Sequence, residues 1–278
     1  MIKENAYAKL NLSLNVLGKM ENGFHELESI MVPLNLYDTL YFEENSNNEM
    51  ILLDNKIEDN SILKAAKLFQ QTYKTKGATI RLKKRIPMEA GLAGGSADSS
   101  ATLRGLNRLF GLNRPLKELE ELALKLGSDN VFCLYNHAAI CRGRGELLEF
   151  LDFDFKFKVI LIKPNFGLST KDVFSNVKIN GKNNITELIK GLKNNDKAVL
   201  DKNVYNDLFE SAIITKPELN LMVEKLKEND VLVHMSGSGS TLFLLRWNKL
   251  VKKELKSLKN IQKCAKYTIK KRYHNCLK

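Results

Sequence analysis

The chain has 278 residues, enough for two lobes or one large domain with a sizeable core. With 44% hydrophobic and 27% charged residues and only 5 prolines, the composition excludes wholesale disorder. The net charge of +12 is concentrated at one end, since residues 249–278 hold eleven Lys or Arg against one acid, Glu254, and so carry +10, leaving +2 for the rest. Arginine supplies 9 of the 44 basic residues, whereas phosphate and base recognition favours the bidentate guanidinium. The tail therefore reads as a solvated basic face, and nucleic acid is not an expected partner. No apolar run reaches the roughly 18 residues that span a bilayer, and residues 1–19 alternate polar with apolar where a signal peptide needs an unbroken apolar stretch. A cytoplasmic protein without a membrane partner is expected. Cys133, Cys141, Cys264 and Cys276 have neither CxxC spacing nor the density of a disulfide scaffold, so reduced thiols are expected and a zinc site is not.

In chain order, Ala8, Leu10, Leu12, Leu14 and Val16 fall on one face of a strand, and Lys9, Asn11, Ser13 and Asn15 on the other. Lys9 and Asn11 therefore project together. A turn at Glu21-Asn22-Gly23 leads to extended stretches at 24–34 and 39–43. Asn60 or Ser61 can cap a helix through Ile62, Ala65, Ala66 and Phe69, and a basic strand follows over 78–86. After Pro87, a glycine-rich loop feeds a helix whose face is Ala101, Leu103, Leu106, Leu109 and Phe110. Pro115 opens a further helix through Leu119, Leu122 and Leu126, and Gly127 ends it. Strands are expected at 138–141 and 156–163, with a turn at Arg142-Gly143-Arg144-Gly145 between them and a lobe boundary near 152–154. Helices are expected between 185 and 226, strands at 231–235 and 241–247, an amphipathic helix on Leu250, Val251, Leu255, Leu258 and Ile261, and a closing strand through Tyr267, Ile269 and Lys271.

The strongest chemical signal is PMEAGLAGGSADSSA at 87–101. Glycines at 91, 94 and 95 let a ligand approach the backbone, and the helix start offers unpaired N–H groups and a positive dipole end, the arrangement that cradles phosphate. It lacks the lysine of a Walker A loop and the spacing of GxGxxG. A flexible connection before a helix is the plainer reading, which the serines at 96, 99 and 100 beside Asp98 weaken. Taken alone, Asp129 reads as an ordinary N-cap, Lys9 as a solvated charge, Phe24 as core packing and His25 as a surface turn residue, while a hairpin turn explains Gly237 and Gly239 as well as a phosphate contact does.

Taken together, that loop, MSGSGST at 235–241 and AYAKLNLSLNVLGK at 6–19 resemble, in order, three motifs of the GHMP kinases, the family of galactokinase, homoserine kinase, mevalonate kinase and phosphomevalonate kinase. The resemblance covers almost the whole chain. It implies an α+β, two-lobed GHMP kinase fold, with a lobe like ribosomal S5 domain 2 at 1–153 and a GHMP C-terminal lobe at 154–278. It also implies an ATP-dependent small-molecule kinase that uses Mg2+, its metal ligands unassigned beyond Ser96 as a candidate. By carry-over, Asp129 takes the proton of the acceptor hydroxyl and Lys9 positions it. The ATP loop is Pro87, Met88, Glu89, Ala90, Gly91, Leu92, Ala93, Gly94, Gly95, Ser96 and Ala97. NGFHELESIMVPLNLYDTL at 22–40 and LGSD at 126–129 are similar to the branch that phosphorylates the 2-hydroxyl of a cytidine diphosphate-linked methylerythritol. There Phe24 and His25 match the positions that read cytosine, usually Tyr-His, and Asn11, Ser169, Thr170 and Phe174 fall on the acceptor side. After the aspartate the family usually has Val-Pro-Phe, where this chain has Asn130-Val131-Phe132, without the proline that fixes the backbone there. Homoserine and mevalonate kinases share the loop without NGFHELES. An RNA-binding protein using the basic tail is the alternative of another class.

Overall fold

A computed structural model describes residues 1–53, 60–179, 185–245 and 261–272. Strands β1 (Ile2–Lys19) and β2 (His25–Glu44) form a long antiparallel pair, followed by β3 (Met50–Leu52), helix α1 (Ser61–Tyr73) and β4 (Ala78–Lys83). Then come α2 (Gly94–Leu109), α3 (Leu116–Leu126), α4 (Ser128–Tyr135), β5 (Ala139–Gly143), β6 (Leu147–Phe150) and β7 (Lys156–Pro164). The remainder comprises α5 (Thr170–Ser175), α6 (Ile185–Lys193), α7 (Lys197–Asn203), β8 (Tyr205–Asn206), α8 (Leu208–Thr215), α9 (Pro217–Lys227), β9 (His234–Met235), β10 (Leu242–Leu244) and β11 (Ile261–Lys270).

The sheet runs β3-β4-β2-β11-β7-β10-β9, with β1 and the β5–β6 hairpin branching from β2. The two stretches expected at 24–34 and 39–43 are one strand. Pro33, which suggests a break, sits opposite Lys9 beside a register shift between Tyr7 and Lys9 that absorbs its missing donor. A second shift lies between Asn11 and Ser13, so bulges flank the two polar residues singled out on β1 and re-aim their side chains. The expected strand at 231–235 shrinks to β9, that at 241–247 is β10 within the described residues, with 246 and 247 lying outside them, and β6 was not anticipated. Leu250, Val251, Leu255 and Leu258 of the expected tail helix lie outside the described residues, and Ile261 begins β11 instead.

Two cores hold the molecule. The larger joins β1, β2, α1 and α2 through Leu10, Leu12, Leu40, Phe42, Phe69 and Leu103, and reaches past residue 154 to Leu188 and Leu200 of α6 and α7. The smaller gathers Leu14, Ile162, Val173, Leu208 and Leu226. Helix α2 comes so close to β2 that a Cβ added at Gly105 would stand 2.3 Å from Cε2 of the fully buried Phe42 ring. Gly105→Ala is therefore expected to lower stability by about 1–3 kcal/mol despite alanine's better helix propensity, as urea denaturation would read. A loss below about 0.5 kcal/mol would show that the helix and sheet can separate freely there.

Candidate active site

Every residue of β1 from Ala8 to Val16 is buried, so its polar face is covered as well as its apolar one. Over Lys9 and Asn11 lies the glycine-rich turn at 236–240. The Asn11 backbone N–H donates to Ser236 Oγ (3.3 Å), Ser236 Oγ donates to the Gly91 carbonyl (3.0 Å), and the Lys9 N–H donates to the Leu92 carbonyl (3.2 Å). Both sequence motifs thus close on the strand that carries Lys9. Gly91 is required at this junction, because its φ is +68° and a Cβ would stand 2.1 Å from the Ser236 carbonyl oxygen. At Gly237, with φ +56°, a Cβ would lie 3.2 Å from Lys9 Nζ.

Lys9 is 4% exposed, and its ammonium donates to Asn11 Oδ1 at 2.5 Å and faces Asp129 Oδ2 at 3.5 Å. The Asn11 amide is fixed in turn by donating to Ser29 Oγ (2.8 Å). Asp129 stands in the first turn of α4, immediately after Gly127, with its side chain one third exposed to the cavity. Asn130, where the family usually has valine ahead of the proline, supplies anchorage of its own. Its Nδ2 donates to Ser99 Oγ (2.9 Å) and its carbonyl accepts from Ser100 Oγ (2.7 Å), tying α4 to α2.

The start of α2 has no side-chain cap and no acid in its first turn, and Ala93 at the cap position is left-handed (φ +54°). Its first N–H groups thus remain available to an anion. Beneath lies a cluster that sequence reasoning missed: Lys84 Nζ is 2.6 Å from both Asp38 Oδ2 and Asp98 Oδ2, and Asp38 also accepts from the backbone N–H groups of Arg85 and Ile86. Burial, with the second carboxylate of Asp38, pushes the Asp98 carboxyl up although Lys84 opposes it. Burial alone would lower Lys84, but its two carboxylate partners raise it, so the ammonium is retained. Asp98 Oδ1 is buried without a hydrogen-bond partner among the described residues. Burial pushes the Cys133 and Cys141 thiols up, which removes them as nucleophiles.

A cavity of about 1280 Å³ joins these parts, more than one small ligand requires. Of the expected ATP loop, Pro87 to Gly91 and Ala93 to Ser96 line it, while Leu92 and Ala97 are buried behind. At the far end lie Phe24, 54% exposed, and His25, whose ring is 5.2 Å from that of Phe174. Partial burial, with Lys19 nearby, lowers the His25 pKa and favours the neutral ring. Of the expected pair Ser169 and Thr170, Thr170 lines the cavity, its Oγ1 2.9 Å from Ser238 Oγ, whereas the Ser169 hydroxyl caps α5 by accepting from the Asp172 N–H. Arg144 also lines the cavity and was missed as a site residue, having read only as part of a turn.

An uncapped helix start, a lysine–carboxylate pair and an aromatic recess in one cleft are parts that phosphoryl transfer to a small molecule calls on. The comparisons agree. The family model for the GHMP kinases N terminal domain matches residues 60–137, and that for GHMP kinases C terminal matches 188–263. Proteins of Staphylococcus aureus provisionally named 4-diphosphocytidyl-2-C-methyl-D-erythritol kinase are 39% identical over 87% of this chain and 89% of their own length. A crystal structure of 4-(cytidine 5'-diphospho)-2C-methyl-D-erythritol kinase superposes with a TM-score of 0.81 at 28% identity, covering 96% of this chain and 99% of that one. Homoserine kinase from Cytophaga hutchinsonii, at 16% identity and a TM-score of 0.72 over 98% of this chain and 96% of its own, shares the fold. The chain belongs to the GHMP kinase family and is an ATP-dependent small-molecule kinase. Among the described residues no helix is long and apolar enough to cross a membrane.

Proposed function

We propose that this kinase transfers the γ-phosphoryl group of ATP to the 2-hydroxyl of 4-diphosphocytidyl-2-C-methyl-D-erythritol, a step in making isoprenoid precursors by the non-mevalonate route, in the cytoplasm. The reading rests on the kinship above and on one observation: a single cavity is lined by the start of α2, by Lys9 and Asp129, and by Phe24, His25 and Phe174. An acceptor with a base at one end and a polyol at the other matches that sequence of surfaces. Residues 1–153 and 154–278 are taken as the two lobes, with α6 and α7 packed on the core of the first.

The ATP phosphates lie on the loop from Pro87 to Ser96 and cap the free N–H groups of α2. Mg2+ would be held by the Ser96 hydroxyl at the loop and by Asp98, whose Oδ1 is buried without a partner among the described residues, a donor set that suits a hard, oxygen-seeking cation. When bound, it neutralises charge on the phosphates. Asp129 accepts the proton as the acceptor hydroxyl attacks, and the Lys9 ammonium favours the developing alkoxide and holds the carboxylate in place. Asn11 fixes Lys9. Phe24 and Phe174 offer faces to the base, a contact that does not need the tyrosine hydroxyl usual in the family, and His25 offers its edge. Thr170 bounds the acceptor side, with Ser169 shaping the helix that carries it.

The test is ADP release from Mg-ATP with diphosphocytidyl-methylerythritol, mevalonate or homoserine as acceptor. Turnover of the cytidyl acceptor alone is expected. Preferred turnover of either of the others would discard the roles given to Phe24 and His25.

A further inference from the structure

We propose that Arg144 binds the diphosphate bridge of the acceptor, and so makes the site select a nucleoside diphosphate-linked polyol over one carrying the base without that bridge. The inference rests on the acceptor reading above and extends it. If the base lies at Phe24 and the reacting hydroxyl at Asp129, the two linking phosphates must cross the space between them. The turn after β5 occupies that span. A Cβ placed on Gly145 would lie 4.0 Å from Asp129 Oδ1, and the guanidinium carbon of Arg144 stands 5.0 Å from the centroid of the Phe24 ring. Two adjacent residues of one turn thus adjoin both ends of the acceptor's path, Gly145 at Asp129 and Arg144 at Phe24.

Its chemistry suits the group. A diphosphate presents paired anionic oxygens, and a guanidinium presents N–H donors in a planar fork that matches them. The Arg144 side chain is 29% exposed, dry enough to strengthen such a contact yet open to the cavity. The ion pair it makes within the turn is weak: Glu146 Oε1 is 3.5 Å from Nε, while Glu146 Oε2 is taken by the Arg144 backbone N–H at 2.6 Å. The other buried or half-buried lysines at the cavity are committed elsewhere, Lys9 to Asn11 and Asp129 and Lys84 to Asp38 and Asp98. Lys19 and Lys171 also line it, but both are exposed to solvent, which weakens a charge contact. Stacking over Phe24 holds the guanidinium in place before the ligand arrives, which reduces the ordering cost on binding.

A purely structural role, in which Arg144 only props the Phe24 ring, makes a different prediction. The experiment compares the wild-type enzyme with Arg144→Met and Arg144→Lys, measuring acceptor KM, kcat, and inhibition competitive with the acceptor by CDP and by cytidine. Wild type should bind CDP about 10-fold or more tightly than cytidine, and Arg144→Met should bring the two within about 2-fold of each other while raising acceptor KM about 10–100-fold. Cytidine inhibition, kcat and the KM for ATP should each stay within about 3-fold, and Arg144→Lys should recover part of the preference. Equal weakening of CDP and cytidine in Arg144→Met, or an unchanged preference, would overturn the proposal while leaving the acceptor reading intact. A wild-type enzyme that turns over a different acceptor and binds neither cytidine nor CDP would overturn the acceptor reading, and this proposal with it.

Discussion

Asp129→Asn is expected to lower kcat for phosphoryl transfer by about 100- to 10,000-fold, the range typical of a lost general base, with the KM for ATP little changed. The exchange keeps the shape of the side chain and its place in the first turn of α4, so the loop, the cavity and the Asn130 anchorage to Ser99 and Ser100 all remain. What disappears is the proton acceptor and the negative charge 3.5 Å from the Lys9 ammonium. Because Asp129 is one third exposed, water can solvate its replacement, and the fold should not suffer. Steady-state ADP release on the folded variant reads the effect. Transfer at a rate within about 3-fold of wild type would remove Asp129 from the chemistry.

Arg104→Met is expected to have the largest effect on stability, a loss of about 3–5 kcal/mol, because it removes the buried one of the two cations on Glu4 together with the donors to three backbone carbonyls. Arg104 is 3% exposed in the middle of α2. Its Nε donates to Glu4 Oε1 (2.9 Å), one terminal nitrogen to the carbonyls of Cys133 (2.7 Å) and Leu134 (3.0 Å), and the other to the Asn5 carbonyl (3.0 Å). The two carbonyls from α4 belong to its last turn, which has no further helical N–H to bond them, so Arg104 caps that helix from the side while pinning β1. Arg108 also reaches Glu4, at Oε2 (2.9 Å), but its own side chain is 42% exposed. Arg108→Met should therefore cost only about 1 kcal/mol or less. Urea denaturation of both variants makes the comparison. Similar small losses in the two would mean that water replaces Arg104 in the interior.

Much of the site was legible in the sequence because its signals are local. A two-residue period put Lys9 and Asn11 on one side of a strand, and the structure joins them by a 2.5 Å hydrogen bond. Glycines ahead of a helical period marked the loop at 87–101, and Gly127 marked the boundary at which Asp129 enters α4. The resemblance of three ordered motifs added the family and fold, which the comparisons bear out.

The sequence by itself determined which residue types are present at a fixed spacing along each element: the strand that bears the ammonium, the glycine-rich loop ahead of a helix and the aspartate at the head of the next helix. Only the tertiary structure decided that the polar face of β1 is buried under the turn at 236–240, and that Lys84 is shared between Asp38 and Asp98. It likewise set Arg144 against Phe24 and Arg104 against Glu4, pairs separated by 120 and 100 residues of chain. The physical reason is the range of the forces concerned. Periodicity and capping act within a turn or a few residues and leave a pattern in the chain. A buried ion pair or a cation over a ring is fixed only when packing excludes water from both partners, and composition at either end carries no mark of which partner that will be.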